Sequence, residues 1–214
     1  MENDSKKLSK QVLRDKIKDH IVKLILEDQV QHGERIVESV MAKELGVSQA
    51  PVREAIRDLV LIGILRNETY HGTFVSDFNT ELIIKAYQVR AVLESFGIRE
   101  AVKHMTDEDI AYLEQIYNEM LNKKNQKSEA KILELDNQLH SAIMKLSKNE
   151  VFYTLWKTLR YDIWSKVTYS KINNLGFLAS RHKDLIAAIK NRDENAAEDA
   201  MKHHILDLEN NFTD

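Results

Sequence analysis

The segment Gly33–Val75, GERIVESVMAKELGVSQAPVREAIRDLVLIGILRNETYHGTFV, decides the fold. Apolar residues recur with helical period up to Gly46 and again from Ser48 to near Gly63, the pattern of helix, tight turn, helix. Ser39 is placed to cap a first helix with the inward face Val40, Ala42 and Leu45, and Gly46 supplies the left-handed residue that ends it. Ser48 is placed to cap the second helix. Pro51, the only proline in the chain, falls in that helix's first turn, where an amide has no intrahelical partner to lose. Val52, Ala55, Ile56, Leu59 and Val60 make the buried face, and Gln49, Ala50, Arg53, Glu54 and Arg57 are left outside.

After Gly63 the period changes. Ile64-Leu65-Arg66 and Thr73-Phe74-Val75 are β-prone runs joined by residues 67–72, a hairpin with a loop of several residues. Two helices with a tight turn and then a hairpin make a winged helix-turn-helix. Its second helix enters the major groove of double-stranded DNA, with the wing beside the backbone or in the minor groove.

Working outward, Leu13, Ile17, Ile21, Leu24 and Ile25 share one face of an amphipathic helix over residues 9–27, preceded by polar residues 1–8 that are expected to be mobile. Arg35-Ile36-Val37 is suited to add a short strand to the wing. The second boundary falls around residues 76–79, which predicts a DNA-binding domain over 1–76 and an all-helical domain over 77–214. The fold class is mostly α. Six helices are predicted in the second domain, over 80–103, 106–123, 128–147, 150–171, 176–191 and 194–212. Thr106 with Asp109 and Ser128 with Lys131 mark two of the starts, and Lys148-Asn149 and residues 173–176 mark breaks.

Composition excludes several classes. The 214 residues contain no cysteine, hence no disulfide framework and no thiolate metal site. No run of apolar residues is long enough to span a membrane, so a soluble cytoplasmic protein is expected. The net charge is −3, and basic and acidic side chains are balanced over residues 1–76. Affinity for DNA must then come from local placement of Arg53, Arg57 and Arg66, from helix N-termini facing phosphate, and from doubling of the sites in a homodimer.

In the helical domain Asp136 and His140 stand four apart and share a helix face, so both can reach one ion. His182 opens a later helix and His204 lies in the last one. A carboxylate with three imidazoles suits Zn²⁺, Ni²⁺, Mn²⁺ or Fe²⁺ and leaves positions open when the ion is octahedral. His203 lies about 100° round the helix from His204 and faces the rim. With eight histidines in the chain, the residues alone are weak evidence for a metal: a helical Asp and His pair is more often a surface contact, and a buried hydrogen-bonded cluster is the other alternative.

The chain resembles the GntR family of bacterial transcription regulators. The match runs through Gly33, Arg35, Glu38, Ala42, Leu45, Gly46, Val47, Ser48, Pro51, Val52, Arg53, Glu54, Ala55, Leu59, Gly63, Gly72, Phe74 and Val75. It departs at Gln49, where the family usually has arginine; glutamine reads adenine where arginine reads guanine. In the family pattern Ser48, Gln49, Arg53, Arg57, His71 and Gly72 face DNA. The helical domain is similar to the ligand-binding (FCD) domain of the FadR-type branch, in its six-helix VanR-like form. That resemblance implies a metal held by Asp136, His140, His182 and His204.

Arg90 and Glu94 match an R-x-x-x-E feature of the same branch, read either as an intrahelical ion pair or as part of the effector cavity or a domain contact. Arg160 shares a helix with Tyr161, Trp164 and Tyr169, which at helical spacing are core, and it is a candidate to pair with a carboxylate effector. The reading that results is a dimeric, ligand-responsive repressor with a divalent metal and a small carboxylate effector. A metal-dependent hydrolase, or a regulator with a purely structural ion, is the alternative.

Overall fold

The computed structural model describes residues 2–77, 79–169 and 174–208, with residues 2–10 by backbone alone. Two compact units are formed, Met1–Phe78 and Asn79–Asp214.

The first unit contains α1 (Glu2–Leu26), β1 (Arg35–Ile36), α2 (Glu38–Leu45), α3 (Gln49–Leu61), β2 (Leu65–Glu68) and β3 (Gly72–Val75). Ile17, Ile21, Val22 and Ile25 of α1 are buried, as are Val52, Ala55, Ile56 and Leu59 of α3. The two helices are also pinned by charge. Lys18 is buried, and its Nζ lies 2.7 Å from Asp15 and 2.9 Å from Asp58 on α3, which compensates an ammonium that would otherwise be costly to withdraw from water.

The tight turn is a Schellman closure. Gly46 takes φ 64°, its amide donates to the Lys43 carbonyl, and the Val47 amide donates to that of Ala42 over 3.0 Å. Only a residue without a Cβ adopts this conformation cheaply. The sheet order is β1-β3-β2, all antiparallel, with Arg35 opposite Phe74 and Glu68 opposite Gly72.

Several expectations are corrected here. α1 begins at Glu2 rather than Ser9. Ser39 caps nothing: α2 starts two residues earlier with Val37 as its N-cap, and Val40 faces outward while Met41 is buried with Ala42. Ser48 holds the N-cap position of α3, but its hydroxyl makes no cap hydrogen bond. The hairpin loop is shorter than residues 67–72, because Asn67 and Glu68 pair with β3 and leave Thr69-Tyr70-His71 as the turn, with Tyr70 at φ 68°.

The second unit is all helical among the described residues: α4 (Thr80–Val102), α5 (Asp107–Leu121), a 3-10 turn at Asn125–Lys127, α6 (Glu129–Leu146), α7 (Glu150–Thr158), α8 (Tyr161–Tyr169), α9 (Leu175–Ser180), α10 (Lys183–Lys190) and α11 (Glu194–Leu206). Thr106 and Asp109 form a reciprocal capping box on α5, and Ser128 accepts from the Lys131 amide at the start of α6. The six helical runs are present, but two are interrupted. Arg160, at φ 48°, separates α7 from α8, and Arg181-His182 separates α9 from α10. Residues 170–173 and 209–212, on which the expected ends of two helices and part of a break fall, lie outside the described residues.

α4 is the central helix, packed along α11 and against α6 and α8. Its approach to α6 and α7 depends on Gly97, where a Cβ would stand 2.5 Å from Met144 Sδ and 2.6 Å from the Phe152 ring. Both tryptophans, Trp156 and Trp164, lie in this unit, so their fluorescence reports on it alone. Gly97→Ala is expected to lower the denaturant midpoint of that signal with the slope unchanged, a loss of about 1–3 kcal/mol from overpacking. An unaltered midpoint would show that the two helices yield freely.

Candidate functional site

The reading face of the first unit is the exposed side of α3. Gln49, Ala50, Arg53, Glu54 and Arg57 are all exposed, because each lies between the apolar positions that bury the opposite face. Arg53 Nε donates to Glu38 Oε2 over 2.8 Å, which orients the guanidinium between two exposed partners and contributes little to stability. Arg57 forms no ion pair among the described residues. At the wing, His71 is exposed and Tyr70 is fully so. Gly72, at φ 113°, leaves room for the Arg35 guanidinium, whose Nε would sit 2.7 Å from a Cβ there. Arg66 is paired with Glu68 and lies over the Phe74 ring at 5.3 Å.

In the second unit four residues from three separate regions converge. Asp136 and His140 project from one face of α6, His182 caps α10, and His204 comes from α11. All four are buried, and one donor atom from each lies within 4.8 Å of the others. His140 Nε2 is 3.2 Å from His204 Nε2 and 3.9 Å from Asp136 Oδ1. His182 Nε2 is 3.0 Å from Asp136 Oδ1, but the directions do not make a hydrogen bond, so that nitrogen is buried without one.

Outer partners set the rings. His140 Nδ1 faces Glu94 Oε2 at 2.5 Å, and His182 Nδ1 faces the Ala179 carbonyl at 3.2 Å. A proton donated in each of these directions leaves the lone pair of Nε2 pointing into the cluster, the tautomer that metal ligation requires. His140 Nε2 meets His204 Nε2 and lies 3.4 Å from Arg90 Nη2, whereas His182 Nε2 and His204 Nδ1 are buried without a hydrogen bond, so three imidazoles and one carboxylate crowd a single point with part of their hydrogen-bonding capacity unspent. The donor set therefore fits a divalent ion with a preference for imidazole and carboxylate.

Glu94 is completely buried and holds this arrangement together. It accepts from Arg90 Nε at 2.8 Å and from Trp156 Nε1 at 3.2 Å in addition to His140. Arg90 is stacked 3.5 Å from the centre of the Tyr161 ring, and the Tyr161 hydroxyl donates to Asp136. Arg90 and Glu94 form the intrahelical ion pair, and that pair is buried against His140 of the cluster. Arg160 instead donates bidentately to Asp162 at 2.8 and 2.7 Å. His203 is exposed at the rim, its Nδ1 2.8 Å from the Asp199 carbonyl. Tyr161 was legible only as a core aromatic and Trp156 carried no signal in the sequence; nothing in their spacing indicated that their polar ends would serve the cluster.

The electrostatics favour ligand-ready protonation states. Burial alone would raise both carboxylic acids, but Arg90 and His140 outweigh it and hold Glu94 at about 2. Burial is likewise outweighed at Asp136, chiefly by His182 and His140, and its carboxyl stays well below the usual range. Burial lowers His182 against the opposing pull of Asp136. It lowers His204 further, assisted by the neighbouring His182 and Arg181.

A winged helix-turn-helix in one unit and an all-helical unit with an interior donor cluster in the other is the build of a transcription regulator with a sensing domain. The profile of the FCD domain matches residues 85–207, and that of the gntR family of bacterial regulatory proteins matches residues 13–75. The chain belongs to the GntR family of transcription regulators, with an FCD effector-binding domain. It is 24% identical over 208 residues to the probable D-xylose utilization operon transcriptional repressor of Paenarthrobacter nicotinovorans, spanning 96% of this chain and 91% of that one. It is 27% identical over 210 residues to the galactonate operon transcriptional repressor of Escherichia coli (strain K12), spanning 85% and 90%. E. coli McbR/YncC shares the fold at a TM-score of 0.69 and 19% identity, over 94% of this chain and 99% of that one. These relatives are regulators and not enzymes, which sets the hydrolase alternative aside. No helix is long and apolar enough to cross a membrane among the described residues.

A pH dependence follows. His182, His204, Asp136 and Glu94 all bind protons less readily in the fold than in an unfolded chain, so the unfolded state takes up more protons and stability falls as pH falls. The imidazole share is lost as pH drops below their ordinary value of 6.5, the carboxylate share only below about 4. The tryptophan-reported midpoint should therefore decline between about pH 7 and pH 5; a midpoint that rises over this range would contradict the assignment of neutral buried imidazoles.

Proposed function

We propose that this regulator is a cytoplasmic, homodimeric repressor that holds a divalent metal on Asp136, His140, His182 and His204 and senses a small carboxylate there. The observation that carries the reading is the convergence of four buried donors on one point, with outer partners of His140 and His182 turning the Nε2 atoms of those two rings inward. A divalent ion with these four protein donors supplies open coordination positions that attract carboxylate oxygens. Glu94 and Arg90 act by positioning: Glu94 orients the His140 ring, and Arg90 neutralises Glu94 and stacks on Tyr161, which in turn holds Asp136.

On the DNA side, Arg53 and Arg57 are presented outward from α3 with Ser48 and Gln49 at its N-terminus, where unpaired amides attract phosphate. The Ser48 hydroxyl is unspent on capping and is available to an operator phosphate. Gln49 is placed to read an adenine edge, and His71 and Gly72 carry the wing to the flanking backbone.

Dimerisation is supported by an apolar stripe on the outer face of α4. Val89, Val92 and Phe96 recur at helical spacing opposite the buried face, with Val92 at 72% exposure, and Phe96 meets Phe152 edge-on beside the exposed Val151 and Leu155 of α7. A stripe of this kind on a protein that must grip two half-sites fits a second copy of the chain.

Three substitutions separate the parts. Arg53→Ala should cost about 1–3 kcal/mol of operator affinity with the fold intact, read by fluorescence anisotropy at fixed salt; unaltered affinity removes Arg53 from the interface. His182→Ala should weaken Ni²⁺ or Zn²⁺ binding by more than the roughly 10- to 100-fold that an outer-shell partner costs, measured by calorimetry, while operator binding persists without a response to effector. If the folded state is lost along with the ion, the metal is structural. Val92→Asp should halve the mass seen in sedimentation, and an unchanged dimer would place the interface elsewhere.

A further inference from the structure

Not every polar group near the cluster has found a partner. Arg181, the residue before His182, forms no ion pair among the described residues, and its Nη2 is withdrawn from solvent without a hydrogen bond. Its guanidinium lies loosely over the Phe177 ring, at 5.9 Å. Its charge acts on Asp136, Tyr87 and Tyr169, and on His204, which places the guanidinium on the cluster's side of α9.

The groups around it share this condition. The Tyr87 hydroxyl and Thr168 Oγ1 face one another yet stop short of hydrogen-bond geometry, and Ser165 Oγ is equally unpartnered; all three side chains are buried. Ser165 and Thr168 lie four and seven residues beyond Tyr161 on α8, hence on the face whose Tyr161 hydroxyl reaches Asp136. Folded proteins leave few buried polar groups unsatisfied, each at a cost, and a group of them beside a binding site is the mark of a ligand's place.

Charge points the same way. Glu94 and Arg90 cancel. With the three imidazoles neutral, a divalent cation and Asp136 leave one positive charge, and Arg181 adds a second. A monocarboxylate would leave this interior charged, whereas a dianion neutralises it.

We infer that the effector is a dicarboxylate and that Arg181, with the Tyr87 and Thr168 hydroxyls, receives its second carboxylate while the first engages the four-donor cluster. This rests on the metal-anchored reading above and adds to it a residue and a charge class. Planar bidentate recognition is what a guanidinium does best, and the fork of Arg181 is unspent.

The test uses the full chain loaded with Ni²⁺ and calorimetry with acids paired by skeleton: succinate against butyrate, and glutarate against valerate. The dicarboxylate of at least one pair should bind roughly 10- to 100-fold more tightly, the worth of a charge-assisted contact. Arg181→Gln should bring the pair within a few-fold of each other by weakening the dicarboxylate alone, with Ni²⁺ still bound.

Equal affinities within both pairs in the wild type overturn the inference whether or not the variant folds, as does a preference that survives in a Ni²⁺-binding Arg181→Gln protein. Those results leave the metal-anchored reading standing. If no acid binds, or if acids bind equally to chelator-treated folded protein, that reading fails and takes this one with it.

Discussion

The helical unit depends on one constraint: two carboxylates, Asp136 and Glu94, must be ionised inside a protein. Either alone would be expensive to bury. Each is kept charged by a different means. Glu94 accepts from Arg90, Trp156 and His140, and is satisfied within the chain. Asp136 accepts from Tyr161 and otherwise faces imidazole edges, so its charge is left for something else. That difference divides a scaffold carboxylate from the carboxylate proposed to hold the ion, and α4, α6, α8, α10 and α11 are arranged to maintain it.

The same division of labour recurs in the DNA-reading unit. Buried charge there is fully paired, Lys18 with Asp15 and Asp58, and serves to fix α1 on α3. The exposed cations on α3 are held loosely or not at all. Because the unit has no net excess of positive charge, its attraction for DNA rests on local placement of cations, and the proposed homodimer would add a second set of contacts to an operator.

Much of this was legible in the sequence, and the failures have physical causes. The helix-turn-helix was readable because Gly46 has one suitable conformation and the apolar spacing of α3 admits one buried face. The cluster was readable as a set of residue types at family spacing, although no periodicity could show that α6, α10 and α11 bring them together. Ser39 misled because hydroxyl residues are common both at caps and in first turns, and the choice of Val37 is made by which side chains, Met41 and Ala42, fill the core. Arg160 ends a helix in a left-handed conformation usually left to glycine or asparagine, so no composition signal marked the break. Trp156 and Tyr161 were hidden for a simpler reason: an aromatic that packs as core and also donates one hydrogen bond looks the same in sequence as one that only packs.

Asp136, His140, His182 and His204 are proposed to form one metal site. Its most direct test is elemental analysis with native mass spectrometry of the purified chain, after equilibration with a divalent metal and removal of the excess. One tightly held ion per chain is expected in the wild type and none in a folded Asp136→Ala, His140→Ala double variant. A wild-type protein that retains no metal, or a double variant that retains it in full, would contradict it.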